Sequence, residues 1–310
     1  MRSSLTLTRM TPQRRRPYSP DRLVFHALGY VLLGVFALIC LIPFYLVTVN
    51  SLMDEGTIIR EGFSFYPRVF SLTGYSMLLK TPDTILDAYT ITIFVTVSGT
   101  VLSLLMITMT GFVLSRTDFH FRNFMSFFFY FTTLFNGGLV PYYLLCTRTL
   151  RFTNRVYALI LPMLFSVWNM IIAKNFFKSI PFAIVESAKL DGANDITIYF
   201  RLILPISMPL LATIGLFTAL SYWNDWYNCM LFINSSHSEL WSLQYYLQNM
   251  LNSAQAMQRV AEHSGLAFTT VPLESMKLAM TVVATGPMLV AYPFVQKYFV
   301  KGLTIGAVKG

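Results

Sequence analysis

The sequence predicts an all-α integral membrane protein of six transmembrane helices, with a polar helix on one side of the membrane between the fourth and the fifth. Three observations carry that prediction. First, 55% of the 310 residues are hydrophobic and 12% are charged, where soluble domains average about 25% charged; the mean hydropathy is +0.57. Second, six windows contain the roughly 20 predominantly apolar residues needed to cross a bilayer, at about 24–50, 88–114, 124–146, 156–176, 202–223 and 277–296. Third, residues 181–205 are too polar to cross, because Glu186, Lys189, Asp191, Asp195 and Arg201 recur every few positions.

In chain order, residues 1–23 are a basic tail containing Arg14-Arg15-Arg16. The apolar run after Arg22 is longer than a signal-peptide core, so it reads as an uncleaved first span. The third window is interrupted by Asn136-Gly137-Gly138 and Pro141. A bend or unwound stretch is expected there, which persists at membrane depth only where protein or a cavity satisfies the freed backbone groups. The Phe127–Phe131 aromatic run in the same window reads as packing toward lipid or a partner. In the 177–201 loop, Ser179 is a possible N-cap, with Pro181 just inside the helix start. Ile184, Val185 and Ala188 form an apolar stripe, and Gly192 can stop the helix in a left-handed conformation. A second short helix should then run into the fifth window near Leu202. That window opens with Pro205 and Pro209, and the sixth carries Gly286-Pro287, where a kink is expected. The 224–275 loop includes an amphipathic stretch over 240–257, expected to fold against something outside the membrane.

Orientation follows from the basic residues. With the N-terminus inside, the cytoplasmic segments hold 15 Lys and Arg against 5 carboxylates, and the outside segments hold 8 against 9. The net charge of +9 is therefore a positive-inside signal and needs no nucleic-acid partner. One short outside loop runs against the pattern with Arg148, Arg151 and Arg155; it is either a misplaced loop or a docking surface.

The three cysteines, Cys40, Cys146 and Cys229, are far apart, and the four histidines are scattered. Neither set has metal-ligand or redox spacing, and no nucleotide-binding or hydrolase motif occurs. The chain offers no catalytic centre, metal site or cofactor site of its own. Mid-window positions carry no Asp, Glu, Lys or Arg. A charge at the bilayer centre costs about 2.5–3.5 kcal/mol on insertion scales and usually marks an ion pathway. Its absence argues against an ion-coupled secondary transporter, so the energy source should lie outside this chain.

The polar stretch then becomes specific. Its spacing, Glu186-Ser187-Ala188-x3-Gly192-x9-Leu202-x-Leu204-Pro205, resembles the E-A-A-x3-G-x9-I-x-L-P loop of the permease subunits of binding-protein-dependent ABC importers. Ser187 for Ala and Leu202 for Ile are the departures. Composition alone would also fit a solvated amphipathic surface helix; the full spacing selects between the two. Asn136-Gly137-Gly138-Leu139-Val140-Pro141, Trp223-Asn224-Asp225-Trp226, the run 272–277 and the ending 296–303 extend the resemblance to the carbohydrate branch, the MalG-like and LplC-like permeases.

The resemblance implies a lipid-embedded subunit of the bacterial cytoplasmic membrane with both termini in the cytoplasm. It implies a second homologous permease subunit, two cytoplasmic ATPases that bind ATP and Mg, and an extracytoplasmic solute-binding protein that delivers a sugar or oligosaccharide. A non-sugar solute is the alternative cargo. Glu186, Ser187, Ala188, Gly192, Leu204 and Pro205 would couple to the ATPases. Asn136, Tyr142, Trp168, Asn169, Trp223 and Asn224 are candidates for the substrate path, since a flat ring and an amide suit a saccharide. The same residues also suit an interfacial aromatic belt and ordinary interhelical hydrogen bonds, the latter worth about 0.6 kcal/mol on average.

Overall fold

Long apolar runs leave no water for the backbone, so the chain satisfies its N–H and C=O groups within helices. The computed structural model describes residues 20–80, 82–264 and 272–307. The Arg14-Arg15-Arg16 triplet lies outside them. Among the described residues the chain is all-helical, with a single isolated antiparallel bridge between Met53 and Phe70.

Helix α1 (Pro20–Asn50) is followed by two short helices, α2 (Glu55–Glu61) and α3 (Thr73–Leu78), and by the 34-residue α4 (Pro82–Ser115). The third window is α5 (Arg122–Leu134), a break, α6 (Leu139–Leu144) and a π-helical turn, Leu145–Thr149. The expected unwinding is seen at Asn136: its Oδ1 accepts from the Gly138 backbone N–H at 2.8 Å, and Gly138 has φ 88°. No residue of α5 is fully buried: Phe127, Phe128, Tyr130 and Phe131 are exposed, while Phe129 packs on Phe165 with ring centroids 5.2 Å apart. The fourth window is α7 (Tyr157–Ile160), a 3₁₀ turn and α8 (Val167–Lys178), bent by 53°.

The polar stretch holds α9 (Ala183–Leu190), α10 (Asp195–Thr197), a π-helical turn and α11 (Leu204–Ile206), and leads into α12 (Met208–Trp223) at an angle of 83°. The bend falls where the prolines are. Pro209 has no N–H to offer, and its ring crowds the carbonyl four residues back, that of Pro205. At the bend, buried Ser207 donates both its N–H and its hydroxyl to the Ile203 carbonyl. The chain continues through α13 (Tyr227–Phe232), α14 (Leu243–Ser264) and α15 (Leu273–Ala307). Among the described residues three helices are continuous, long and apolar enough to cross a membrane, over Val24–Asn50, Pro82–Ser115 and Leu273–Val290; counting each of the two bent pairs as one span brings the number to five.

Helix α4 is the central post. It packs on both α8 and α12, and small residues at its contact points let neighbours approach. A Cβ on Gly99 would sit 2.5 Å from the Tyr222 ring. The Tyr222 hydroxyl donates to the Ile160 carbonyl at 2.8 Å, tying α4, α7 and α12 at one point. At 1.5 Å per residue α4 is about 50 Å long, and each end has its own core. One end gathers Ile85, Val95, Tyr222, Trp223, Leu243 and Met276; the other gathers Ile107, Phe112, Met170, Val185, Ile198 and Ile203.

Helix α15 runs on through Pro287 and Pro293. Two expectations need correcting. Ser179 caps the end of α8, with its hydroxyl on the Phe176 carbonyl, and α9 starts only at Ala183. The 240–257 amphipathic stretch is covered by the chain itself: α14 packs on α4 and α15, and the Leu243 N–H donates to Thr92 Oγ1 at 2.8 Å in a buried setting. The arginine loop is also placed. Asn154 Oδ1 accepts from Asn234 N–H, and the Asn154 N–H donates to the Phe232 carbonyl. Residues 151–155 therefore lie at the same end as 232–234.

Candidate functional site

The stretch 181–205 folds into a short helix braced against the core along one side only. Val185 and Ala188 of α9 are buried against the core that gathers Ile107, Phe112 and Met170, while Glu186, Ser187 and Leu190 point outward; Leu190 is 89% exposed. Ile184 is half-buried. The helix ends as its glycine predicts, with Gly192 at φ 81° and the Ala193 N–H donating to the Ala188 carbonyl. A left-handed residue at that position closes the last turn without a Cβ penalty. Asn194 then starts the next turn, its Oδ1 accepting from the Thr197 N–H at 2.8 Å. Leu204 is half-buried and Pro205 is exposed, just before the bend.

A charged network fastens this stretch to the end of α4. Arg116 Nε donates to Asp118 Oδ1 at 2.8 Å, a second guanidinium N–H reaches Asp118 Oδ2, and Arg116 Nη1 donates to Asp195 Oδ1 at 2.6 Å. Lys189 Nζ of α9 donates to Asp118 Oδ2 at 2.8 Å. The Arg116 side chain is 10% exposed. Its hydrogen bonds, with help from Lys189, hold the Asp118 carboxyl well below the usual carboxylate range, and the Asp118 bond holds the guanidinium pKa above its ordinary value. Further in, Thr108 and Tyr199 share a hydrogen bond at 2.7 Å and the Phe112 and Tyr199 rings are 5.6 Å apart. Between these ties lies a cleft of about 280 Å³, with Met109, Phe112 and Val113 of α4 on one wall and Ile196, Tyr199 and Phe200 on the other.

The six proposed substrate-path residues divide. Trp223 is 5% exposed and its Nε1–H donates to the Ala284 carbonyl at 2.9 Å, so its ring is part of the α12–α15 packing and not a free stacking face. Asn224 is exposed and meets the Gln244 amide at 3.4 Å. Beside it Asp225 accepts from the Tyr227 and Asn228 backbone N–H groups and from Asn228 Nδ2, yet burial still raises its pKa. Tyr142 packs on Phe232 of the neighbouring α13 with ring centroids 6.2 Å apart. Tyr142 and Asn224 thus belong to one end of the molecule, together with exposed Trp226 of the same Trp223–Trp226 run. Asn136 is used by its own turn, Trp168 is 73% exposed, and Asn169 is buried at the start of α8. Sequence reasoning also missed the hydroxyls of Thr96, Thr100 and Thr218, which are buried without a partner among the described residues along the α4–α12 seam. Isolated threonines in apolar helices carry no signal beyond their polarity.

An all-helical chain with membrane-length apolar helices, a broken third window and a polar helix braced on the central post has the architecture of a membrane transport subunit. No family model matches the chain. It is 39% identical over 287 residues to the polygalacturonan/rhamnogalacturonan transport system permease protein YtcP of Bacillus subtilis, covering 93% of this chain and 99% of that protein. It is 36% identical to protein LplC of the same organism, over 93% of this chain and 95% of that one. A solved bacterial ABC transporter involved in import of the acidic polysaccharide alginate contains a chain that matches with a TM-score of 0.73 and 29% identity, over 93% of this chain and all of that one. The chain belongs to the permease subunits of carbohydrate ABC transport systems.

Proposed function

We propose that this permease carries an oligosaccharide inward across the bacterial cytoplasmic membrane, with residues 181–205 on the cytoplasmic side receiving the movement of partner ATPases. The observation that carries the reading is the one-sided burial of α9. Val185 and Ala188 seat the helix on the protein's own core, while Glu186, Ser187 and Leu190 are left outward on a rigid support. Small Ser187 permits close approach of another surface, Glu186 accepts hydrogen bonds from it, and Leu190 fills an apolar hollow. Two ATPases holding ATP and Mg bind there, and closure of the pair tilts the spans between inward- and outward-open states. This chain itself carries neither a catalytic residue nor a cofactor. A second, homologous permease completes the membrane unit, six spans are contributed by this chain with both termini inside, and a solute-binding protein delivers cargo at the opposite end. The relatives named for polygalacturonan, rhamnogalacturonan and alginate support a saccharide cargo, and uronate-bearing oligosaccharides are the first to test.

In vesicles reconstituted with all partners, Gly192→Pro and Glu186→Lys should each lower cargo-stimulated ATP hydrolysis about tenfold or more, the scale of losing one charge-assisted contact or a helix stop. Insertion of the chain should be unaffected. Unchanged uptake and hydrolysis in both variants would refute the coupling role. Calorimetry of the cognate solute-binding protein against neutral and uronate oligosaccharides decides the cargo class.

A further inference from the structure

We infer that the Arg116–Asp118–Lys189–Asp195 network is a positioning latch that makes α4, and not only α12, move with the coupling helix. The inference rests on the coupling role proposed for 181–205 and assigns four residues outside the motif's recognised positions, except as neighbours, to the transmission of force.

The covalent route from α9 to the membrane runs through α10, α11 and the 83° bend at Ser207 into α12. A bend of that size, with Pro205 and Pro209 removing backbone hydrogen bonds on either side, is a poor rod for transmitting displacement. The network offers a second route. Asp118, two residues past the Arg116 that follows α4, takes a hydrogen bond from Lys189 on α9, and Arg116 binds Asp195 at the start of α10. Both short helices of the stretch are therefore fastened to one helix end that is 71 and 79 residues away in sequence. Asp118 and Arg116 also bind each other through two N–H groups, so the two ties share a rigid knot. Planar guanidinium bound on both sides is directional in a way a lone ammonium is not.

The cleft shows what the latch resists. Its walls come from α4 and from residues 195–200, and Arg116, Asp118 and Asp195 all lie on its lining. Movement of α9 and α10 away from α4 would open the cleft and separate the charges. Deeper, the Thr108–Tyr199 hydrogen bond and the Phe112–Tyr199 ring contact hold the same two walls. α4 then carries displacement to the core at its far end, because it is one uninterrupted helix of 34 residues.

The test uses the complete transporter in vesicles and reads ATP hydrolysed per cargo molecule imported. Asp195→Asn and Arg116→Gln should raise that ratio about tenfold, the scale of losing one charge-assisted hydrogen bond. Asp195→Glu and Arg116→Lys, which keep the charge, should restore at least part of the coupling. A merely structural role would lower the amount of assembled transporter without moving the ratio. If the ratio stays at the native value in Asp195→Asn and Arg116→Gln while Gly192→Pro lowers cargo-stimulated hydrolysis, the latch is wrong and the coupling loop stands. If Gly192→Pro and Glu186→Lys leave both uptake and cargo-stimulated hydrolysis at native levels, the coupling role itself has failed.

Discussion

Gly99 and Tyr222 set how closely α4 and α12 approach. With the Tyr222 ring 2.5 Å from where a Cβ would be, Gly99→Leu must push the helices apart. Overpacking of this kind costs about 1–3 kcal/mol, and thermal unfolding in detergent should show it, with Gly99→Ala milder. Charged residues outside the spans give the pH dependence. Asp118 has a folded pKa depressed below its ordinary 3.8, chiefly by the Arg116 hydrogen bond. Its stabilising contribution is therefore complete above pH about 4 and is lost as pH falls through the folded value. Between pH 5 and 8 Asp118 should not titrate, and transport in that range should show no pH-dependent step that Asp118→Asn removes. Asp225 has the opposite sign: burial raises its pKa, so whatever it adds is present below its ordinary value and lost as pH rises through the folded one. Asp225→Asn should flatten the pH dependence of unfolding on the acidic side of neutrality. The Glu186-Ser187-Ala188-x3-Gly192 spacing was legible because a helix stop and small residues have few substitutes. Which of its possible roles Trp223 takes was not legible, because exposure of an indole is decided by its neighbours, here the Ala284 carbonyl and the α15 surface.

At the scale of elements, α14 is the clearest case of tertiary structure completing a local pattern. Apolar residues at helical spacing called for a partner, and α4 and α15 of the same chain supply it. Its first turn is anchored by the Leu243 N–H on Thr92 Oγ1. Thr92→Val leaves that buried N–H without its acceptor, which costs about 1–3 kcal/mol; faster amide exchange at the start of α14 is the expected reading. The third window shows the converse. Asn136-Gly137-Gly138 announced a break, and the Asx-type turn at Asn136 is that break. Gly286-Pro287 carried a similar local signal without interrupting its helix, since helical backbone inside a packed bundle can tolerate a proline when the surrounding contacts hold the helix. α15 has Ala279, Met280 and Ala284 buried just before that point.

Across the whole molecule, distant parts of the chain close on one another at both ends of α4. At one end the Glu55 carboxylate accepts from the backbone N–H groups of Glu274 and Ser275 at 2.9 and 2.7 Å, joining α2 to the first turn of α15 across 219 and 220 residues. An anion at a helix N-terminus is favoured by the dipole as well as by the hydrogen bonds. Glu55→Gln should cost about 1 kcal/mol, read as a lower midpoint of thermal unfolding with the helix content unchanged. At the other end the Arg116 network does the equivalent for the 181–205 stretch. By contrast α1 is exposed along most of its length, as expected of a helix that meets lipid or a second permease.

The sequence by itself determined the class of protein. Hydropathy chose the solvent, the distribution of basic residues chose the orientation expected in it, and the lack of mid-membrane charge pointed to an energy source elsewhere. The spacing from Glu186 to Pro205 pointed to where that energy enters. These are properties of composition and of short-range order, which a chain displays before it folds. Only the tertiary structure decided which side chains are buried, that α14 returns to α4, and that Arg116 reaches Asp195 from 79 positions away. Such contacts depend on how helices cross in space, and no periodicity in a single chain records the distance between two residues that folding alone brings together.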